Sequence, residues 1–99
     1  MSFDEAYKLV LEMWPTEINI TNIKFHSNGG ARIQELINYH DKIEEQCIPL
    51  GKEAIAMDWS LFQYFHAHAK ELYKNNIFTL TTSNVDIKAV KELYDENNK

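Results

Sequence analysis

Phe3, Ala6, Tyr7, Val10, Leu11 and Trp14 recur at three- and four-residue intervals, which predicts an amphipathic helix over residues 1–14. Ser2 and Glu5 have the S-x-x-E spacing of a capping box at its start, and Pro15 marks its stop. Residues 16–25 are ambiguous. Ile18 and Ile20 alternate with polar residues as in a strand, whereas Ile23 breaks the alternation and Thr21 could cap a short helix beginning at Asn22. Ser27-Asn28-Gly29-Gly30 is a turn, and a helix is expected to begin directly after it. Ile33, Leu36, Ile37, His40, Ile43 and Cys47 share one helical stripe, so this helix runs to about Gln46; the alternative stops it at residues 39–41 and extends residues 42–50 as a strand. Glu44-Glu45-Gln46 are good helix formers and favour the longer helix.

Ile48-Pro49-Leu50-Gly51 reads as a break that is buried behind Cys47, followed by a short extended piece at residues 52–57. Asp58 is expected to cap a helix whose apolar face is Leu61, Phe62, Phe65, Ala69, Leu72 and Tyr73, ending at Asn75-Asn76. Residues 77–82, β-branched and aromatic, form the best strand candidate. Ser83 and Asp86 open a last helix with Ile87, Val90, Leu93 and Tyr94. A lone strand is unstable, and residues 17–25 or 46–57 are its candidate partners. The expected fold is therefore α+β and mainly helical, with four helices and a small two- or three-stranded sheet.

At 99 residues the chain suits one domain, residues 1–99, with a frayed tail at 96–99. Apolar residues make up 44% of it and are spread along its length, which argues against disorder. No apolar run approaches the ~20 residues of a membrane span, and the first residues lack the basic and apolar regions of a signal peptide. The one cysteine, Cys47, cannot form an internal disulfide, which points to a cytoplasmic setting and no membrane.

Charge sharpens this picture. The formal net charge is −5, and of ten basic residues only Arg32 is an arginine. Arginine does most bidentate reading of guanine and phosphate, so an extensive nucleic-acid reader is disfavoured. Lysine with nine asparagines and ten isoleucines suggests an AT-rich coding source, such as a bacteriophage or low-GC bacterium. The charge is also uneven: residues 1–20 and 43–58 each carry four carboxylates and one lysine, and between them Lys24, His26, Arg32 and Lys42 surround the glycine turn. A helix start preceded by glycines could hold a phosphate on free backbone N–H groups, with an ordinary capped helix as the plainer reading. Neither G-x-x-x-x-G-K-[ST] nor G-x-G-x-x-G occurs, so a nucleotide enzyme has no support.

Gly30-Ala31-Arg32-Ile33-Gln34-Glu35-Leu36 resembles the start of the recognition helix in small phage and bacterial winged-helix (helix-turn-helix) proteins. The resemblance covers residues 20–52. It implies a supporting helix at 20–24, a recognition helix at 31–38 and a first wing strand at 43–48 with Gly51-Lys52 at its tip. It further implies that Asn28, Arg32, Gln34 and Asn38 face DNA with Lys24 and Lys52 on phosphates, in a chain often dimeric. The chain departs from the pattern after Leu36, where Ile37-Asn38-Tyr39-His40 replaces basic residues and a glycine, and in the wing, where Glu44 and Glu45 would repel phosphate.

Catalytic chemistry finds little footing. His66 and His68 would converge on a metal only on a strand, since on a helix they diverge by about 200°. His40, Glu44 and Cys47 share a helical face at i, i+4 and i+7, but one thiol without a second cysteine or H-E-x-x-H makes Cys47 a core residue rather than a zinc ligand. Glu44-Glu45 and Asp95-Glu96 read as solvated faces. No cofactor, metal site or enzymatic activity is expected. Trp59 and Tyr64 belong to an aromatic set too large for one small core, which makes them candidates for a partner surface. Two functions follow. The favoured one is an acidic protein-binding module, a phage or bacterial inhibitor or regulator of a larger basic target, using Glu44, Glu45, Trp59 and Tyr64. The other is a small winged-helix DNA-binding regulator using the residues named above.

Overall fold

The computed structural model describes residues 1–98. Four α-helices, α1 (Phe3–Met13), α2 (Gln34–Cys47), α3 (Lys52–Lys74) and α4 (Ile87–Asn97), are combined with four short strands, β1 (Glu17–Asn19), β2 (Ile23–Phe25), β3 (Ala31–Ile33) and β4 (Thr79–Thr81). The fold is mainly helical α+β, as the hydrophobic pattern implies.

The 23-residue helix α3 packs against α1, α2 and α4. Phe65, Leu61, Met57 and Ala69 from α3 meet Val10 and Ala6 of α1, Leu36 and Ile43 of α2 and Val90 of α4 in one buried core. Trp14 closes it with its ring edge-on to Phe65 at 5.0 Å. Ser2 caps α1 by accepting the Glu5 N–H, the first half of the capping box, and the Glu5 carboxylate reaches back to accept from the Ser2 hydroxyl at 3.1 Å rather than from its backbone N–H.

Residues 16–25 resolve into two strands rather than a strand and a short helix. β1 pairs antiparallel with β4, with Ile18 opposite Leu80 and both buried, which supplies the partner that the 77–82 segment requires. The Ile20 N–H to the Phe78 carbonyl and the Thr82 N–H to the Thr16 carbonyl, both 2.9 Å, lengthen this ladder. β2 and β3 form a separate antiparallel hairpin. Its loop closes through the His26 N–H to Gly30 carbonyl bond of 2.9 Å, with Gly29 at φ +84°. That conformation is costly for a residue with a Cβ.

Several expected elements are corrected. In place of the expected supporting helix at 20–24, residues 20–22 are irregular chain and Ile23 and Lys24 already belong to β2, and the helix expected directly after the glycine turn begins only at Gln34. The reason is pairing. Ala31 and Ile33 face inward opposite Phe25 and Ile23, and the strand ladder satisfies the backbone that a helix would otherwise have used. Residues 43–48, the proposed wing strand, are instead the last turns of α2 and the start of a single 3-10 turn at Ile48–Leu50. Residues 52–57 are helical, not extended, because α3 starts at Lys52 after Gly51 turns the chain at φ +115°. Asp58 therefore lies two turns inside α3, where it cannot cap it. Of the expected frayed tail at 96–99, Glu96 and Asn97 belong to α4, with the Asn97 amide donating to the Ser60 hydroxyl and to Gln63 Oε1, both at 3.0 Å, and Lys99 lies outside the described residues.

Candidate functional site

The β2–β3 hairpin gathers most of the basic island. Strand alternation turns Ile23, Ala31 and Ile33 toward α3 and leaves Lys24 and Arg32 directly opposite each other on the exposed face. Like charges in cross-strand register are destabilising, and among the described residues neither has a carboxylate within ion-pair distance. Both line, with His26 and Gln34, a shallow groove of about 760 Å³. Arg32 Nε donates to Gln34 Oε1 (3.3 Å), and the Gln34 amide donates to Asn38 Oδ1 (2.8 Å). Asn28 lies in the loop with its Oδ1 accepting the Gly30 N–H. Two polar contacts hold the hairpin to α3, the Lys70 ammonium donating to the Gly29 carbonyl and His66 Nε2 meeting the Ala31 carbonyl, each at 2.8 Å, and the Phe25 ring packs on Tyr73 at 5.8 Å.

The connection from α2 to α3 has the opposite character. Ile48, Pro49 and Leu50 were expected to be buried, yet Ile48 is 60% and Leu50 41% exposed, because the 3-10 turn projects them outward while Cys47 alone points into the core. Ile55 and Trp59 follow at i+4 steps from Gly51 along α3, and Trp59 is 41% exposed. Glu45 is exposed on the adjoining end of α2. This corner thus exposes several apolar side chains, with Glu45 on the α2 side and Lys52 beside Trp59.

Beneath Trp59 lies a buried polar cluster. His40 is held with its ring stacked on Phe62 (4.4 Å) and edge-on to Trp59 (4.3 Å). Its Nδ1 is 2.8 Å from Asp58 Oδ2, and its Nε2 is 3.5 Å from Glu44 Oε2. Burial alone would lower the His40 pKa, but the hydrogen bond and charge of Asp58, with Glu44 and Asp41, outweigh it and hold the imidazole above its ordinary value. Burial raises the Asp58 carboxyl above the usual carboxylate range, more than His40 and Trp14 draw it down. Burial, with the charges of Asp58 and Glu44, pushes the Cys47 thiol up to about 11, which makes it a poor nucleophile.

The structure brings some of the expected site residues together and separates others. Lys24, Arg32, Gln34 and Asn38 form one connected face with Asn28 at its end, but on a hairpin and its following helix turn rather than on a recognition helix. Lys52 stands apart, beside Trp59 and Asn97, and Lys42 lies farther along α2 beside Tyr39. Glu44 is not a solvated residue: its side chain is 34% exposed and its Oε2 is buried against His40. Trp59 shares that neighbourhood, whereas Tyr64 does not. Five positions along α3, about 140° around the helix, Tyr64 is half-buried and its hydroxyl accepts the Asp86 N–H at 3.1 Å. His66 and His68 sit on α3 with different partners, Ala31 and Tyr64.

Ile48, Leu50, Lys70 and Asp58 are the residues that sequence reasoning missed or misplaced. Only Pro49 within the Ile48–Leu50 triplet hinted at a tight turn that exposes its flanks. No helix of the described residues is long and apolar enough to cross a membrane. No known family, curated protein or solved structure matches the chain.

Proposed function

We propose that this chain is a non-enzymatic protein-binding module that docks a basic segment with apolar side chains, from a larger cytoplasmic target, on the corner between α2 and α3. The observation that carries the reading is the exposure of Ile48, Leu50 and Trp59 beside Glu45 and the half-buried Glu44. Exposed large apolar side chains beside charge suit a docking face, and the carboxylates would steer a positively charged partner. An inhibitor or regulator of phage or bacterial origin fits that chemistry. The test places a photo-crosslinking residue at Gln46 in the producing cell or its host and identifies what is captured. One stoichiometric partner with a basic surface is expected, and Leu50→Asp should weaken its capture severalfold. Equal capture by the Leu50→Asp variant would overturn the reading.

The register of Lys24 against Arg32 favours a second reading, in which the hairpin carries the contact to DNA phosphates in a small regulator. An anion between the two cations would relieve their repulsion. Fluorescence titration of random duplex at low salt tests this, with affinity expected to fall steeply as salt rises and to be lost in the Lys24→Gln/Arg32→Gln double variant.

A further inference from the structure

A fully buried carboxylate in the middle of a helix needs a partner, because an unpaired charge in the interior is far costlier than one in water. Asp58 has no exposed surface; its Oδ2 lies 2.8 Å from His40 Nδ1, and its Oδ1 is buried without a hydrogen-bond partner. Glu44 Oε2 is likewise buried and unpartnered. His40, Glu44 and Asp58 each offer one donor atom, all within 4.8 Å of one another. Two carboxylates thus face a single imidazole, which even when protonated balances only one of them.

We propose that His40 Nε2 and Glu44 Oε2 bind a divalent transition-metal ion of the zinc type, with Asp58 as the positioning residue behind the imidazole. The distances fit this division. Two ligands at about 2.0–2.1 Å from a tetrahedral zinc ion stand about 3.3–3.4 Å apart, and Nε2 and Oε2 are 3.5 Å apart. On the other side of the ring, Asp58 Oδ2 at 2.8 Å from Nδ1 occupies the place of the carboxylate that orients a ligating histidine and raises its basicity. Phe62 and Trp59 fix the ring plane. The part of Glu44 that reaches solvent gives the ion its way in and lets water complete the coordination. One imidazole and one carboxylate suit zinc or cobalt better than magnesium or calcium, which favour oxygen alone. Cys47 lies outside the donor cluster.

Calorimetric titration of the full chain with zinc ion at neutral pH tests this. One ion per chain is expected, with magnesium failing to compete at equal concentration. His40→Gln and Glu44→Gln should each abolish binding, and Asp58→Asn should weaken it about 10–100-fold. Asp58→Asn should also shift the visible spectrum of the cobalt-loaded protein, which a purely structural Asp58 would leave alone. A His26→Gln/His68→Gln variant and Cys47→Ser should bind as the parent does. Absence of one-to-one binding in the parent chain would overturn the proposal, as would binding that survives Glu44→Gln or a cobalt–thiolate band lost in Cys47→Ser. Should His40→Gln fail to fold, the melting temperature of the parent with zinc against chelator decides: a rise supports the site and no change sinks it.

Discussion

The β2–β3 hairpin and the α2–α3 corner dispose the same kinds of residue in opposite ways. In the hairpin Ile33 is fully buried and the charges Lys24 and Arg32 face solvent. At the corner Ile48 and Leu50 face solvent, and the charges Glu44 and Asp58 turn inward upon His40. Strand alternation sorts the hairpin, because every second side chain must point to the core. A 3-10 turn with a proline has no such sorting, and what it exposes depends on the two helices it joins. The hairpin is therefore an ordinary folded surface bearing uncompensated cations. The corner inverts the rule on both sides, and inversions of that kind concentrate at functional surfaces.

Replacing one isoleucine in each region tests the contrast most strongly. Ile33→Ala should cost about 2–5 kcal/mol and Ile48→Ala less than about 0.5 kcal/mol in urea denaturation, since one leaves a cavity and the other leaves only solvent. Comparable losses would mean that the corner is packed rather than presented. The thiol at the end of α2 offers a second probe. Its pKa near 11 lies two units above its ordinary 9.0, so the reactive thiolate is scarcer and alkylation of folded protein at pH 8 should be at least about 100-fold slower than of unfolded protein. Mass spectrometry of a timed reaction reads this, and fast labelling would show that the corner opens.

Smaller effects separate the two surfaces in function. Ile48→Asp with Leu50→Asp should leave the melting temperature within a few degrees but weaken the partner at least about tenfold, on the scale of losing central interface contacts. Smallest of all, Lys24→Gln should leave stability unchanged or raise it by a few tenths of a kcal/mol, because it removes a like-charge cross-strand pair. A clear loss of stability there would mean that Lys24 has a partner in the fold.

Much of the helical frame was legible in the chain itself. The α1 capping box, the long α2 stripe through Ile43 and Cys47, and Asp86 at the head of α4 all act through neighbours three or four residues away, and local pattern reports such contacts well. The site was legible only in part. Trp59 as an exposed aromatic followed from the excess of aromatics over core space, and the face shared by His40 and Glu44 followed from i, i+4 spacing. Asp58 was misread because its pattern before an apolar run is that of a cap. Gly51 had already started the helix, and only the packing of α3 on α2 brings that carboxylate to His40.

What the sequence determined by itself is thus the helical periodicity, the capping signals and the existence of a strand within residues 77–82, observed as Thr79–Thr81, all fixed by interactions within a few residues. Tertiary structure decided the rest. The partner of that strand lies some sixty residues away in β1, and the glycine turn became a hairpin loop because Ile23 and Ile33 could bury together. Glu44 stands beside His40 by its i, i+4 spacing, but the packing of α3 on α2 is what buried that face. The energy that chose among these alternatives comes from surfaces brought into contact across the chain, and no local window of residues contains it.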